Sequence, residues 1–396
     1  MSQPARLVAG SPQYRRAIYA LLAGGLAIFL LLYITQGLLP QIAADLHVGP
    51  AEAALTVSVT SGALAISLIP MSVLAERFGR APVMKISAFA ASILAVLIPF
   101  APNITTLVLL RGLQGVAIAG VPACAMAYLG EEVESISVTA AMGLYLAGNS
   151  LGGLSSRVVA GLISQVAGWR VALGVLGLLS LCCAVAFAML LPKERHFVAG
   201  RTGPRRSLHN LGQMLTNRAL VPLFVLGGLL MFIFGGAYTV LGFRLEAPPF
   251  GLSEALVGLF FTIYLVGTAT GPFVGRIEAR FGERRLILIG IAIVILGFAV
   301  TWFDSIVLIV VGFILITAGF FGGHTVASSE VSIRAVVGRS QASAMYLTAY
   351  YVGNSAGAST AAIVYRDYRW NGVIVIAIAA MLIAAGVAAT IPSRHT

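Results

Sequence analysis

The chain has 396 residues, of which 59% are hydrophobic and only 10% are charged, whereas an average soluble domain is about 25% charged. This composition excludes an ordinary soluble globular protein, and apolar stretches of about 20 residues, long enough to cross a bilayer core, recur along the chain. A β-barrel is also excluded, because its strands alternate apolar and polar residues over about 10 positions.

The net charge of +11 follows the loops between the apolar stretches and does not indicate a nucleic-acid partner. Because Lys and Arg gather in cytoplasmic segments, their distribution places both termini and the central loop in the cytoplasm. The first stretch, roughly Ala17 to Leu39, is long and lacks a clear cleavage site, which predicts a retained helix rather than a signal peptide. We therefore expect a multi-pass protein of the cytoplasmic, or inner, membrane, in contact with lipids.

Twelve membrane-spanning helices are predicted in chain order. Their centres lie near Ile28, Leu64, Ala91, Ala117, Gly152, Leu181, Leu230, Tyr264, Val294, Ala318, Gly353 and Met381. The longest break is a basic segment that divides the chain into two six-helix bundles, 1–192 and 219–396, joined by a cytoplasmic linker, 193–218. The three cysteines lie within predicted spans and indicate packing residues, and no metal or cofactor is expected.

The two halves of the chain repeat each other. "LAERFGRAPVM", which starts at Leu74, returns as "IEARFGERRLI" from Ile277. "YLAGNSLG", which starts at Tyr145, returns as "YYVGNSAG" from Tyr350, at nearly the same offset. Internal repeats of this kind are typical of secondary transporters, whose substrate site lies near the midplane between the repeats.

The turn after the second span has two interpretations. It is either a positive turn that sets the topology or a charge latch that holds one conformation and breaks in the other, and its recurrence favours the latch. The latch residues are Glu76, Arg77, Gly79 and Arg80, with Gly275, Arg280 and Gly282 in the second half.

This turn resembles the loop motif of the major facilitator superfamily, with Ser72 in place of the first glycine and Glu76 in place of the aspartate. Together with the twelve spans and the doubled motif, the resemblance covers essentially the whole chain. It implies an all-α integral membrane fold of two pseudo-symmetric six-helix bundles. It also implies a monomeric secondary transporter that works by alternating access and is not an enzyme.

The fourth span carries "LLRGLQGVAIAG" from Leu109, with a charged residue inside the membrane. An arginine there costs about 2.5–3.5 kcal/mol on insertion scales and usually has a function; the alternative is a side chain that reaches the outer surface. Arg111, Gln114 and Gly115 are similar to the fourth-helix motif of the superfamily. In that family the arginine is linked to proton movement or substrate response.

The fifth span places Tyr145, Asn149 and Gly152 on one helix face. Helix packing is expected to explain the small residues Gly115, Gly148, Gly152, Gly153, Gly353 and Gly357. The string resembles the fifth-helix motif of the drug-exporter branch, although Asn149 replaces its proline and weakens an inference of export. With "GWR" at 168–170, it is closer to bacterial inner-membrane exporters of the YnfM type. The repeat does not copy Arg157, since Ala362 stands at the corresponding position.

None of the 14 carboxylates falls clearly at the midplane. The buried titratable candidate is His324, for which a neutral packing role is the alternative. Arg111 and Arg157 lack a mid-span acid, so we expect a neutral or anionic small-molecule substrate rather than a cation. The candidate substrate and coupling residues are Tyr33, Gln36, Arg111, Gln114, Tyr145, Asn149, Arg157, Tyr264, His324, Tyr350 and Asn354.

Export by proton antiport is the function that the family resemblance favours. A uniporter or an anion exchanger without proton coupling is the alternative, because no midplane carboxylate is predicted. A membrane enzyme is disfavoured, since the spans lack a nucleophile–base pair, a zinc motif and a phosphate loop. A transport-like sensor is disfavoured because the linker is too short and basic to be a signalling domain.

Overall fold

The computed structural model describes residues 6–197, 212–335 and 339–392, so much of the predicted linker and the last four residues lie outside the described chain. The first half forms long helices separated by short turns. They are α1 (Pro12–Leu32), α2 (Leu39–Asp45), α3 (Pro50–Phe78), α4 (Arg80–Leu97), α5 (Ile104–Ile118), α6 (Gly120–Glu132) and α7 (Ser135–Leu190).

The second half has a similar series of helices. They are α8 (Val221–Glu246), α9 (Glu254–Phe260), α10 (Tyr264–Phe281), α11 (Glu283–Val300), α12 (Ile306–Arg334) and α13 (Arg339–Ala389). We call the end of the bundle at which α3 finishes and α4 begins the linker end, because residues 191–197 lie there. The opposite end, at which α8 finishes and α9 begins, is called the far end.

Nine helical segments of the described chain are long and apolar enough to cross a membrane. Two of them, Ile136–Leu190 with 55 residues and Gln341–Ala389 with 49, are each long enough to cross twice. Both reverse at a residue with positive φ, Gly168 at 80° and Arg369 at 53°. With α11, which has 18 residues, these segments account for the twelve predicted spans.

The first span differs from the single helix expected between Ala17 and Leu39. Helix α1 ends at Leu32, and a new helix, α2, begins at Leu39. Pro40 lies in the first turn of α2, where its missing N–H has no partner to lose. The break leaves carbonyl groups at the end of α1 without helical partners. The buried side chain of Arg111 in α5 donates hydrogen bonds to these carbonyls.

Glycines bring α1 against α7 and α8 against α13. A Cβ on Gly148 or Gly152 would lie 2.6 Å from a backbone oxygen of α1. A Cβ on Gly353 or Gly357 would lie closer still to a backbone oxygen of α8. These close approaches explain why the glycine-rich string occurs once in each half.

Gly115 and Gly153 behave differently from each other. A Cβ on Gly115 would collide with the carbonyl oxygen of Thr60 in α3, which agrees with a packing role. A Cβ on Gly153 would meet only Arg157 at 3.6 Å and Tyr33 at 3.8 Å, which are ordinary contact distances. Gly153 therefore does not bring two backbones together, and its carbonyl has another use.

The two halves join between the far end and the middle of the bundle. Across this interface, the Gln41 amide donates to Glu246 at 3.0 Å, and the Asn354 amide donates to Ser61 at 2.5 Å. A Cβ on Gly161 would lie 2.6 Å from the carbonyl oxygen of Glu254, so α7 and α9 are also in close contact. Three ion pairs described at the linker end, by contrast, each lie within one half.

Candidate functional site

Arg157 lies between the two halves and is buried. Its Nε and Nη2 groups donate to the side-chain oxygen of Gln36 at 2.8 and 2.6 Å, and Nη1 donates to the carbonyl of Gly153 at 2.5 Å. Nη2 also donates to the hydroxyl of Tyr264 at 3.3 Å. Gln36 lies in the break between α1 and α2, so the break positions the main partner of this arginine.

Aromatic rings surround the guanidinium group of Arg157. Its central carbon lies 4.2 Å from the ring centre of Tyr33, 4.5 Å from that of Tyr264 and 5.2 Å from that of Phe261. Within the described ranges, Arg157 forms no ion pair with a carboxylate. The group is therefore a buried positive charge held by neutral hydrogen-bond acceptors and aromatic faces.

Arg111 has different surroundings, and its side chain does not reach the outer surface. It is fully buried and donates to the carbonyls of Leu31, Leu32 and Thr56 at 2.8, 3.0 and 3.0 Å. It also donates to the side chain of Gln114, which in turn donates to a backbone carbonyl of α4 at 3.0 Å. Two of these carbonyls belong to the last turn of α1, so Arg111 ties the broken end of α1 to α3 and α5.

His324 lies in α12 and is only partly buried. Its Nδ1 lies 2.7 Å from the hydroxyl of Tyr346, and its ring lies 5.0 Å from the ring of Tyr350. The ring of Phe320, one helical turn earlier, lies parallel to the imidazole at 5.6 Å. Within the described residues, the imidazole therefore contacts three aromatic rings, those of Phe320, Tyr346 and Tyr350, of which Tyr346 also supplies a polar partner.

A continuous series of aromatic rings connects the arginine to the histidine. Tyr264, which contacts Arg157, lies 5.2 Å from Phe234, and Phe234 stacks on Phe320 at 3.9 Å. Phe320 then contacts His324. Arg157 and His324 thus contact the same aromatic cluster, formed by Tyr33, Phe234, Tyr238, Phe261, Tyr264 and Phe320.

Asn149 and Asn354 occupy equivalent positions in the repeat but have different partners. Asn354 is buried and joins the halves through Ser61. The side-chain oxygens of Asn149 and Asn354 have no hydrogen-bond partner within the described chain, and each is packed against a glycine of the neighbouring helix, Gly25 or Gly235. The two asparagines therefore occupy equivalent positions between helices, and a contact of Asn149 or Tyr145 with substrate stays a prediction.

The predicted latch residues form contacts within their own halves. Arg80 pairs with Glu131 in the first half, and Arg334 pairs with Glu283 at 3.1 Å in the second. Glu283 stands at the repeat position of Arg80, and Arg334 at that of Glu131, so the second half carries the same pair with the charges exchanged. Whether either pair breaks during transport stays a prediction.

The other latch residues have simpler environments. Gly79 and Gly282 have φ values of 97° and 77°, a left-handed conformation that favours glycine. Arg77 and Arg280 each lie against the following phenylalanine, at 5.2 and 5.5 Å from its ring centre. Glu76 is half-buried, and a Cβ on Gly275 would meet open space.

Glu194 adds a contact at the linker end that sequence patterns do not reveal. Its carboxylate accepts from the backbone N–H groups of Arg80 and Ala81 at 3.0 and 3.2 Å, at the first turn of α4. Burial raises the pKa of Glu194, although these hydrogen bonds and the charge of Arg80 act in the opposite direction. The start of the linker is thereby fixed to the first half.

Several residues of the aromatic cluster were not predicted from the sequence. Phe234, Phe261 and Phe320 were missed, as was Tyr238, which lies 4.6 Å from Tyr264. Their spacing was an available signal, because Phe234 and Tyr238, and also Phe320 and His324, are four residues apart and share a helix face. Because apolar residues fill every span, the four-residue spacing of these aromatic residues does not distinguish them from ordinary packing residues.

Comparisons with known proteins identify the family and the fold. The profile of the Major Facilitator Superfamily matches residues 21–247 and 229–395. The chain is 39% identical over 370 residues to the MFS-type transporter YybF of Bacillus subtilis (strain 168), with 92% of this chain and 90% of that one covered. It is 36% identical over 374 residues to the inner membrane transport protein YnfM of Escherichia coli (strain K12), with 94% and 90% covered.

Solved structures agree with this fold. A bacterial homologue of the human lysosomal transporter Spinster, inward-facing and occupied, aligns with a TM-score of 0.78 at 16% identity, over 96% of this chain and 97% of that one. The nucleoside transporter NupG aligns with a TM-score of 0.76 at 16% identity, over 95% and 100%. The predicted twelve-helix architecture and the resemblance to YnfM-type proteins are confirmed.

Proposed function

The chain belongs to the major facilitator superfamily of membrane transporters, and on that premise we propose that it exports a small neutral or anionic molecule across the cytoplasmic membrane in exchange for protons. The buried guanidinium group of Arg157, which lies at the interface of the two halves and has no carboxylate partner among the described residues, carries this proposal. The aromatic cluster around it would contact the apolar part of the substrate.

The charge of Arg157 supports discrimination between substrates. Two unit charges 4 Å apart interact by about 4 kcal/mol at an effective dielectric constant of 20. An organic cation in contact with the site would be repelled by roughly this energy, and an anion would gain it. A neutral substrate with hydrogen-bond acceptors would also be accepted.

The orientation rests on the distribution of Lys and Arg, which places the linker end and both termini in the cytoplasm. In that orientation the halves are in contact toward the periplasmic end, so the site would be reached from the cytoplasm. Loading from this side is the first step of export. The relative YnfM is named as an inner membrane protein, which supports the same location.

His324 is the residue to which we assign proton coupling. Imidazole titrates near neutral pH in water, and the hydrogen bond with Tyr346 offers a route for a proton. A substrate bound against the aromatic cluster would lie beside the imidazole, which does not contact Arg157 directly. Anion exchange without proton coupling is the second candidate, favoured because no carboxylate of the described chain pairs with Arg157.

A proton-flux assay tests the coupling. The acid that most raises the melting temperature of the purified protein in a ligand screen is added outside proteoliposomes that contain a pH-sensitive dye. We expect substrate-dependent proton movement with the wild type and with His47→Gln, a control at an exposed histidine, and its loss with His324→Gln. Substrate movement without proton flux in the wild type would favour a uniporter or an anion exchanger instead.

A further inference from the structure

Gln36 occupies the edge of Arg157 that a carboxylate would use. Its side-chain oxygen accepts from both Nε and Nη2 of the guanidinium, at 2.8 and 2.6 Å. A guanidinium group commonly presents such an edge to the two oxygens of a carboxylate in a bidentate pair. The neutral amide oxygen thus lies where a charged ligand oxygen would bind.

We infer that Gln36 is a stand-in for the carboxylate of the substrate, and that exchange between the two releases one of the hydrogen bonds that hold the two halves together toward the far end. This inference rests on the proposed function, because it assigns the anionic substrate of that site to the carboxylates. It also assigns Gln36 a role in linking occupancy of the site to the conformation of the transporter.

The other partners of Arg157 are less easily replaced. Nη1 donates to a carbonyl group inside α7, and aromatic rings lie against the guanidinium at 4.2 and 4.5 Å. The Gln36 side chain is the partner that can rotate away without breaking a helix. The hydrogen bonds from the guanidinium to Gln36 already have a charged donor, but a carboxylate adds a second acceptor oxygen and a full negative charge, so it competes well with this amide.

The second hydrogen bond of Gln36 crosses the interface between the halves. Its amide nitrogen donates to the hydroxyl of Thr239 in α8 at 3.2 Å. When a carboxylate takes the edge of Arg157, the Gln36 side chain must move and this bond is lost. The oxygen of the Gln36 amide therefore binds Arg157, and the nitrogen of the same amide binds Thr239 in the other half.

The position of Gln36 in the chain suits this role. It lies in the break between α1 and α2, where its N–H donates to the carbonyl of Tyr33 in a turn and not in a helix. Directly after it, Pro40 packs against Gly242, and Gln41 binds Glu246 of the second half. A change at Gln36 is thus transmitted to the short helix α2, which contacts both halves.

The ligand predicted by this geometry is a monocarboxylate with a flat apolar body. The carboxylate would take the edge of Arg157, and the body would lie against the aromatic cluster. The neutral amide of the same acid would carry no charge with which to displace Gln36. A ligand shifts a conformational equilibrium only through its different affinities for the two states, and release of the Gln36–Thr239 bond supplies that difference.

A distance measurement tests the inference with benzoate and benzamide as matched probes. Spin labels are placed at Thr105→Cys and Ser253→Cys, both exposed at the far end in opposite halves, after the three native cysteines are replaced by alanine. Benzoate is expected to increase the population with the longer distance, and benzamide is not. Equal effects of benzoate and benzamide on this population would contradict the displacement of Gln36 from Arg157 by a carboxylate.

Gln36→Glu tests the inference without any ligand. The new carboxylate pairs with Arg157 and cannot donate to Thr239, so the long-distance population should rise in the absence of benzoate. Benzoate binding should weaken on the order of tenfold, whereas Thr239→Val, which removes only the cross-half bond, should not weaken it. Wild-type distances and wild-type benzoate affinity in Gln36→Glu would overturn the inference.

The two proposals fail in different ways. If Arg157→Gln abolishes benzoate binding while Gln36→Glu behaves like the wild type, the anion site stands and the role of Gln36 is wrong. If Arg157→Gln binds benzoate as the wild type does, the proposed anion site itself is wrong.

Discussion

Replacement of Arg111 by methionine separates a structural role from a role in transport. The family resemblance links this arginine to proton movement or substrate response, but its side chain is fully buried and bonded to backbone carbonyls. We expect Arg111→Met to lower the stability of the protein strongly, because the end of α1 loses its partners.

The size of the effect follows from the contacts. The substitution removes the Arg111 donor from three carbonyls, but that of Thr56 keeps the hydroxyl of Thr60 and that of Leu31 keeps the N–H of Ile34, so the carbonyl of Leu32 loses most. A buried acceptor without a partner costs about 1–3 kcal/mol, and we expect a net loss of about that size.

Thermal unfolding of the purified protein in detergent measures this loss. Arg157→Met is the matched control, since Arg157 donates to only one backbone carbonyl, and it should lower the melting temperature less than Arg111→Met does. An Arg111→Met protein that unfolds at the wild-type temperature but does not transport would refute this reasoning. It would instead support the coupling role that the family motif implies.

Three further predictions concern other parts of the molecule. Arg80→Glu should lower the free energy of unfolding by about 1–2 kcal/mol. The added change Glu131→Arg should recover part of this loss in thermal unfolding, because the second half carries the same pair with the charges exchanged. No recovery would contradict the equivalence of the two pairs. Gly357→Ala should destabilise by about 1–3 kcal/mol, since its Cβ would meet a backbone oxygen of α8, whereas Gly386→Ala, in open space, should be neutral or stabilising. Because the folded protein raises the pKa of Glu194, this group binds more protons when folded, and its contribution to stability falls as pH rises from its ordinary range through the raised pKa. Glu194→Gln should remove that component from unfolding measured across pH, and an unchanged pH profile would show that burial does not dominate at this carboxyl.

The sequence predicted the repeated architecture because each cause is local. Twenty apolar residues must cross the membrane as a helix, and a glycine repeated at 79 and 282 marks the same left-handed turn in each half. Gly357 could likewise be assigned to helix packing from its small-residue spacing alone.

Other features depend on contacts between distant segments and could not be read from a local pattern. The break after Leu32 is stabilised by a side chain from α5, nearly 80 residues later. The role of Gln36 needs Arg157 from α7 and Thr239 from α8 at the same point. Hydrophobic periodicity carries no information about such partners when every span is apolar.

Binding of a matched anion and cation to the wild type and to Arg157→Gln tests the central claim most directly. Benzoate and benzyltrimethylammonium are titrated into each protein in lipid nanodiscs by calorimetry. We predict that the wild type binds benzoate and not the cation, and that Arg157→Gln loses benzoate binding while its fold, checked by thermal unfolding, is retained. Preferred binding of the cation by the wild type would contradict the assignment of Arg157 as the group that selects the charge of the substrate.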